Sequence, residues 1–163
     1  LQRLKGDGII YSTHFYQPQS YTHQGISDLR STDLKHAYLQ RQRPYPGNFD
    51  QDGGNWDKGR LRQEIQCLID FQRRNNVRVY VGEFGVAKWA PNADVYLRDL
   101  IKMFEELGWD WTYHALDENA IWSPEFTEAF DGSNPPQRAT QTTERGKVLL
   151  EFMERNAAPA TGK

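Results

Sequence analysis

Nine residues constrain the chain more than any others: Val77-Arg-Val-Tyr-Val-Gly-Glu-Phe-Gly85. The valines recur at every second position. Val77, Val79 and Val81 are therefore expected on one face of a strand, and Glu83 is the next residue of that series. A carboxylate stands at the C-terminal end of an apolar strand, with Gly82 and Gly85 leaving the backbone beside it unencumbered. Parallel α/β folds build their sites at the C-terminal ends of strands, which makes Glu83 the first candidate for catalysis. The plainer alternative is a solvated glutamate at a strand end.

The 163 residues suffice for one domain with one core, taken here as residues 1–163. A net charge of −2 implies neither a nucleic acid nor an anionic membrane as partner. Cys67 is the single cysteine, so no disulfide can form within the chain, and a buried thiol is expected. No apolar run reaches membrane-spanning length. The chain opens Leu1-Gln-Arg-Leu-Lys5 without a methionine, as a piece of something longer would. Aromatic residues make up 13%, including five Trp and eight Tyr, an excess that either fills the core or lines a groove.

Alternation and punctuation order the chain. Gly8 to His14 reads as a first strand, with His14 and Tyr16 sharing a face at its C-terminal end. Residues 17–56 form a long polar connection rich in Pro and Gly, with room for a short helix from Asp28 to Gln40. Asp57 to Asn76 has a helical stripe of Leu61, Ile65, Leu68 and Ile69. The strand at 77 follows, then a short loop carrying Trp89. A second helix runs from Asp94 to Leu107, stopped by Gly108, and a third strand from Trp109 to Leu116. Trp122 lies in the polar loop 117–139. A last helix from Thr143 to Asn156 is anchored by Val148, Leu149, Phe152 and Met153, and a frayed tail closes the chain. Alternating βα units imply a parallel sheet with helices outside it. The loops after strands are long and those after helices short, as in a (β/α) barrel. The sequence contains no zinc-ligand spacing, P-loop or dinucleotide fingerprint.

Three motifs taken together, His14-Phe-Tyr16, Tyr80-Val-Gly-Glu-Phe-Gly85 and Gly108-Trp-Asp-Trp-Thr-Tyr-His-Ala-Leu116, resemble the C-terminal part of glycoside hydrolase family 5, the cellulase family. The resemblance runs from about Gly8 to Asn156. It implies the last three βα units, strands 6–8, of a (β/α)8 TIM barrel. It implies a retaining hydrolase of β-1,4-linked glucan, of the endoglucanase type, with Glu83 as nucleophile and no metal or cofactor. It places His14 and Tyr16 beside Glu83, as donors that hold its carboxylate. Pyranose C–H faces pack on indole rings, and Trp122 and Trp89 lie where a sugar cleft would be. Trp56, Trp109 and Trp111 are better explained as core.

Two departures qualify the resemblance. Many relatives carry a tryptophan where this chain has His114, so the platform there is lost or moved to Trp122, and His114 is left to bind a sugar hydroxyl. The family's general acid is a glutamate in an Asn-Glu pair on strand four, and no Asn-Glu occurs in this sequence. A retaining mechanism needs two carboxyl groups. The chain is thus expected to carry the nucleophile half of a site. The rest would come from an N-terminal barrel portion or from a second copy. The alternative is a non-catalytic carbohydrate-binding module or a self-assembling half-barrel. Cellulose, mixed-linkage glucan, xyloglucan and mannan all remain open as substrates. A polymeric substrate places the protein outside the cell.

Overall fold

A computed structural model describes residues 1–26, 42–129 and 136–156. The helix expected over Asp28–Gln40, the residues 130–135 and the tail from Ala157 lie outside them. Strands β1 (Ile10–Phe15), β4 (Arg78–Phe84) and β5 (Asp110–Trp111) make a parallel sheet in the order β1-β4-β5. Helices α2 (Lys58–Glu64), α3 (Gln66–Asn75), α4 (Ala93–Glu106) and α5 (Glu144–Met153) supply its cover. A short helix, α1 (Gln19–Thr22), and a hairpin of β2 (Gly47–Phe49) with β3 (Gly54–Trp56) occupy the first connection.

Sequence chemistry explains the element ends. The Asp57 carboxylate caps α2 by accepting from the Arg60 amide. Asn76, with φ 47°, ends α3 in the left-handed region, and Gly108, with φ 66°, follows α4. Thr143 caps α5 through the Gly146 amide. The apolar faces of the helices meet one face of the sheet. Val79, Val81 and Phe84 of β4 share a core with Leu61, Ile69, Leu97, Leu100, Ile101, Phe104, Leu149 and Phe152. Each such side chain contributes about 1.5–3 kcal/mol on burial. Among the described residues nothing covers the opposite face of the sheet: Ser12 and Thr112 are exposed, and Ile10 retains 48% of its accessible surface.

The structure departs from the expected elements at several points. The helix over 57–76 is two helices that meet at Ile65; Leu61, Ile65 and Ile69 of the expected stripe are buried and Leu68 is half-buried. The third strand is formally two residues long, yet its ladder bonds continue, with the Thr112 amide donating to Val81 O and the His114 amide to Phe84 O, both at 2.9 Å. Cys67 is exposed, because it lies two residues from both Ile65 and Ile69 and so turns away from the stripe. Met153 is 44% exposed, whereas Val148, Leu149 and Phe152 are buried.

The correction that matters most concerns Glu83. Thr13 pairs with Val81 but His14 pairs with Glu83, so Gly82 is an extra residue in β4. This β-bulge reverses the alternation. Val79, Val81 and then Phe84 are buried under the helices, while Glu83 turns to the uncovered face beside His14. A Cβ on Gly82 would stand 2.9 Å from Ser12 Oγ and 3.4 Å from His14 Nε2. The glycine makes room for the bulge.

Gly85 solves a second spacing problem. A Cβ there would lie 2.4 Å from the backbone oxygen of His114. Gly85→Ala must push apart the ends of β4 and the last strand. An unfolding free-energy loss of roughly 1–3 kcal/mol is expected in urea denaturation. An unchanged midpoint would show that the two strand ends are not held this close.

Candidate functional site

The site forms where the C-terminal ends of β1, β4 and the last strand converge. Tyr16 Oη donates to Glu83 Oε2 at 3.0 Å, and His14 Nδ1 lies 3.5 Å from the same oxygen. The Glu83 side chain keeps 39% of its surface, enough for a ligand to reach the free side of the carboxylate. Burial raises the Tyr16 phenol well above its ordinary pKa, and the hydrogen bond to Glu83 and that residue's charge add to the shift. The phenol therefore stays a donor through neutral and alkaline pH and is not available as a base. Its backbone is fixed by Thr22 Oγ1, which donates to Tyr16 O at 2.6 Å.

Trp122 packs beside Tyr16, the residue that holds this carboxylate. Its ring centroid lies 6.0 Å from Tyr16, 5.0 Å from His23 and 6.3 Å from His114. The indole is half-buried, with one part packed toward Gly85. Tyr113 Oη donates to Trp122 O at 2.6 Å. His114 Nδ1 lies 3.5 Å from Glu118 Oε2, and the imidazole retains 26% of its surface.

His23 escaped the sequence reading. It follows β1 by eight residues and packs against both Tyr16 and Trp122, at 5.3 and 5.0 Å. Its position just beyond a strand's C-terminal end was the available signal. Thr22 Oγ1 has one proton, and the Tyr16 carbonyl at 2.6 Å takes it. His23 Nδ1, 2.9 Å from Thr22 Oγ1, is then the donor of that pair, which leaves Nε2 as an acceptor. Burial lowers the His23 pKa, so the ring is neutral at pH 7.

Trp89 is not an open platform. It is 6% exposed, packs with Ala87, Ile26 and Ile121, and donates from Nε1 to Gln24 O at 2.6 Å. The loop after β4 is folded inward, because the Ala87 amide donates to Thr22 O and the Lys88 amide to Ile121 O, at 2.9 and 2.8 Å. Trp56 and Trp109 are buried at 2% and 3%, and Trp111 is half-buried with its Nε1 on Glu105.

The arrangement offers one oriented carboxylate, one hydroxyl bonded to it, an imidazole 3.5 Å away, a tryptophan beside the tyrosine and a second imidazole that can accept. Of the other nearby acids, Glu118 stands beside His114, and Glu125 is ion-paired with Arg138. Among the described residues, no three His, Cys, Asp or Glu gather as a metal site.

The chain is 27% identical over 139 residues to endoglucanase C of Acetivibrio thermocellus, an alignment covering 72% of this chain and 39% of that protein. The chain is similar to endoglucanases. It spans about two fifths of the length of the curated relatives it matches. No family model matches it. Among solved structures, endoglucanase Cel5A of Thermotoga maritima superposes with a TM-score of 0.56 at 22% identity, over 76% of this chain and 37% of that one. That enzyme is also known in complex with cellobiose and with mannotriose. The cellulose synthase subunit Z of Clostridioides difficile gives 0.61 at 18% identity, over 92% and 43%. These likenesses show that the α/β arrangement described above shares the fold of these solved structures over about two fifths of their length.

Proposed function

We propose that the chain supplies the nucleophile half of a retaining endo-β-1,4-glucanase site. The observation that carries this reading is the Tyr16–Glu83 hydrogen bond at a strand end, with Trp122 beside it. In this reading Glu83 attacks the anomeric carbon and forms a glycosyl ester. The Tyr16 hydroxyl holds the attacking oxygen in place, and His14 supports it from the same strand. Trp122 carries the face of a sugar ring, and His23 Nε2 and His114 meet its hydroxyl groups. The similarity to endoglucanases points to a β-1,4-glucan, and the mannotriose complex of Cel5A keeps mannan within the same class.

Residues 1–163 correspond in this reading to strands 6–8 of a (β/α)8 barrel with their helices. The uncovered sheet face, and the edges of β1 and β5 that no described strand pairs, favour it. The general acid then comes from further barrel strands, joined in cis or brought by a second copy. No helix among the described residues is long and apolar enough to cross a membrane. Action outside the cell follows from a substrate too large to enter one.

Trp122→Ala tests the site. Calorimetric titration with cellotetraose is expected to show affinity falling by roughly tenfold or more, with stability lowered by less than about 1.5 kcal/mol. Trp109→Ala is expected to destabilise the fold by about 3–5 kcal/mol, because that ring is buried. Equal losses of stability in the two variants would remove Trp122 from the site.

A further inference from the structure

Arg145, in the first turn of α5, is fully buried. A buried cation is costly unless polar atoms converge on it. Here they are backbone oxygens from one loop with the Tyr113 hydroxyl beside them, while Nε is buried with no partner among the described residues. Arg145 Nη1 donates to Trp122 O at 3.1 Å, and Nη2 donates to Ser123 O at 2.9 Å and Phe126 O at 3.2 Å. The neighbouring Thr143 hydroxyl donates to Pro124 O at 2.6 Å. On the far side of the same loop, the buried Lys88 donates from Nζ to Thr127 O and Ala129 O, at 2.8 and 3.0 Å. Two buried cations, one on α5 and one in the loop after β4, thus hold one stretch of backbone, and Trp122 stands within it.

We propose that Arg145 is a positioning residue for Trp122. Its planar guanidinium presents donors at fixed angles, so three carbonyls can be satisfied only when residues 122–126 take one course. Opening the loop would strip a buried charge of its acceptors. The indole is consequently held against Tyr16 and His23 before any ligand arrives, and the ordering cost of binding is reduced. This deepens the reading of Trp122 as a sugar platform and rests on it. Lysine keeps the charge but has a single nitrogen, which cannot span the three carbonyls. Methionine removes the charge and all three donated bonds, leaving Trp122 O to Tyr113 Oη and Ser123 O to the Phe126 amide.

The test compares the chain with Arg145→Lys and Arg145→Met by amide hydrogen exchange and by cellotetraose titration. The Trp122, Ser123 and Thr127 amides, which bond within and next to the loop, are expected to exchange roughly tenfold faster or more in both variants. The Leu100 and Phe104 amides of α4 should keep their rates. Cellotetraose affinity should fall by roughly tenfold, more for methionine than for lysine. Should the methionine variant fail to fold, the lysine variant decides alone. Folded variants whose loop amides remain as slow as in the parent chain would overturn the proposal. So would a loosened loop with unchanged affinity. A parent chain that does not bind cellotetraose counts against the glucanase reading, while the exchange rates still decide whether Arg145 holds the loop.

Discussion

Glu83→Gln is expected to lower turnover of an aryl β-cellobioside by roughly three orders of magnitude or more, with cello-oligosaccharide binding almost unchanged. The amide has nearly the shape of the carboxylate and keeps an oxygen to accept from Tyr16. It has no charge with which to attack an anomeric carbon and cannot form a stable glycosyl ester. Binding survives because Trp122, His23 and His114 are untouched. Stopped and steady-state rates, set against a titration of the same preparation, read both quantities. Full activity in the variant would end the assignment of Glu83.

The second large effect separates substrates by their leaving groups. Among the described residues Glu83 has an oriented place, whereas the glutamates of the later loop have other partners: Glu118 is beside His114 and Glu125 is paired with Arg138. An alkoxide leaves poorly without a proton, and a nitrophenolate leaves well without one. General acid help is worth about 10²–10⁴ in rate. The 163-residue chain is accordingly expected to leave cellulose intact and to act feebly, at most, on an activated aryl cellobioside. Cellulose hydrolysis should return when strands bearing the acid glutamate are restored, in cis or on another chain. Reducing-sugar release from cellulose by the pure chain would mean that Glu118 or another acid here performs the protonation.

Local pattern carried the sequence reading a long way. The helical stripes at 61–69 and 97–104 lie where they bury, and Asn76 and Gly108 stop their helices. His14, Tyr16 and Glu83 come together because parallel strands bring their C-terminal ends to one level. Features set by contacts distant in sequence were harder to see. Alternation alone sends Glu83 into the core with Val79 and Val81. The bulge at Gly82 that turns it outward is defined only by pairing with β1. Trp89 and Trp122 both follow strand ends, and only the folding of their loops tells the buried ring from the half-exposed one. His23 and the β2–β3 hairpin lie in a stretch whose Pro and Gly suggested an irregular loop. Arg145 looks from sequence like a solvated charge on a helix, because its acceptors are carbonyls 19 to 23 residues away.

The central claim is that Glu83 becomes covalently bonded to sugar, and a trapped ester tests it most directly. A 2-deoxy-2-fluoro-β-cellobiosyl fluoride expels fluoride without acid assistance, and its electron-poor ring slows release of the ester. Incubation followed by proteolysis and mass spectrometry should find one fluorocellobiosyl group, on the peptide containing Glu83. The label should be absent from Glu83→Gln and reduced by prior binding of cellotetraose. A label on Glu118 or any other carboxylate, with Glu83 unmodified, would contradict the account.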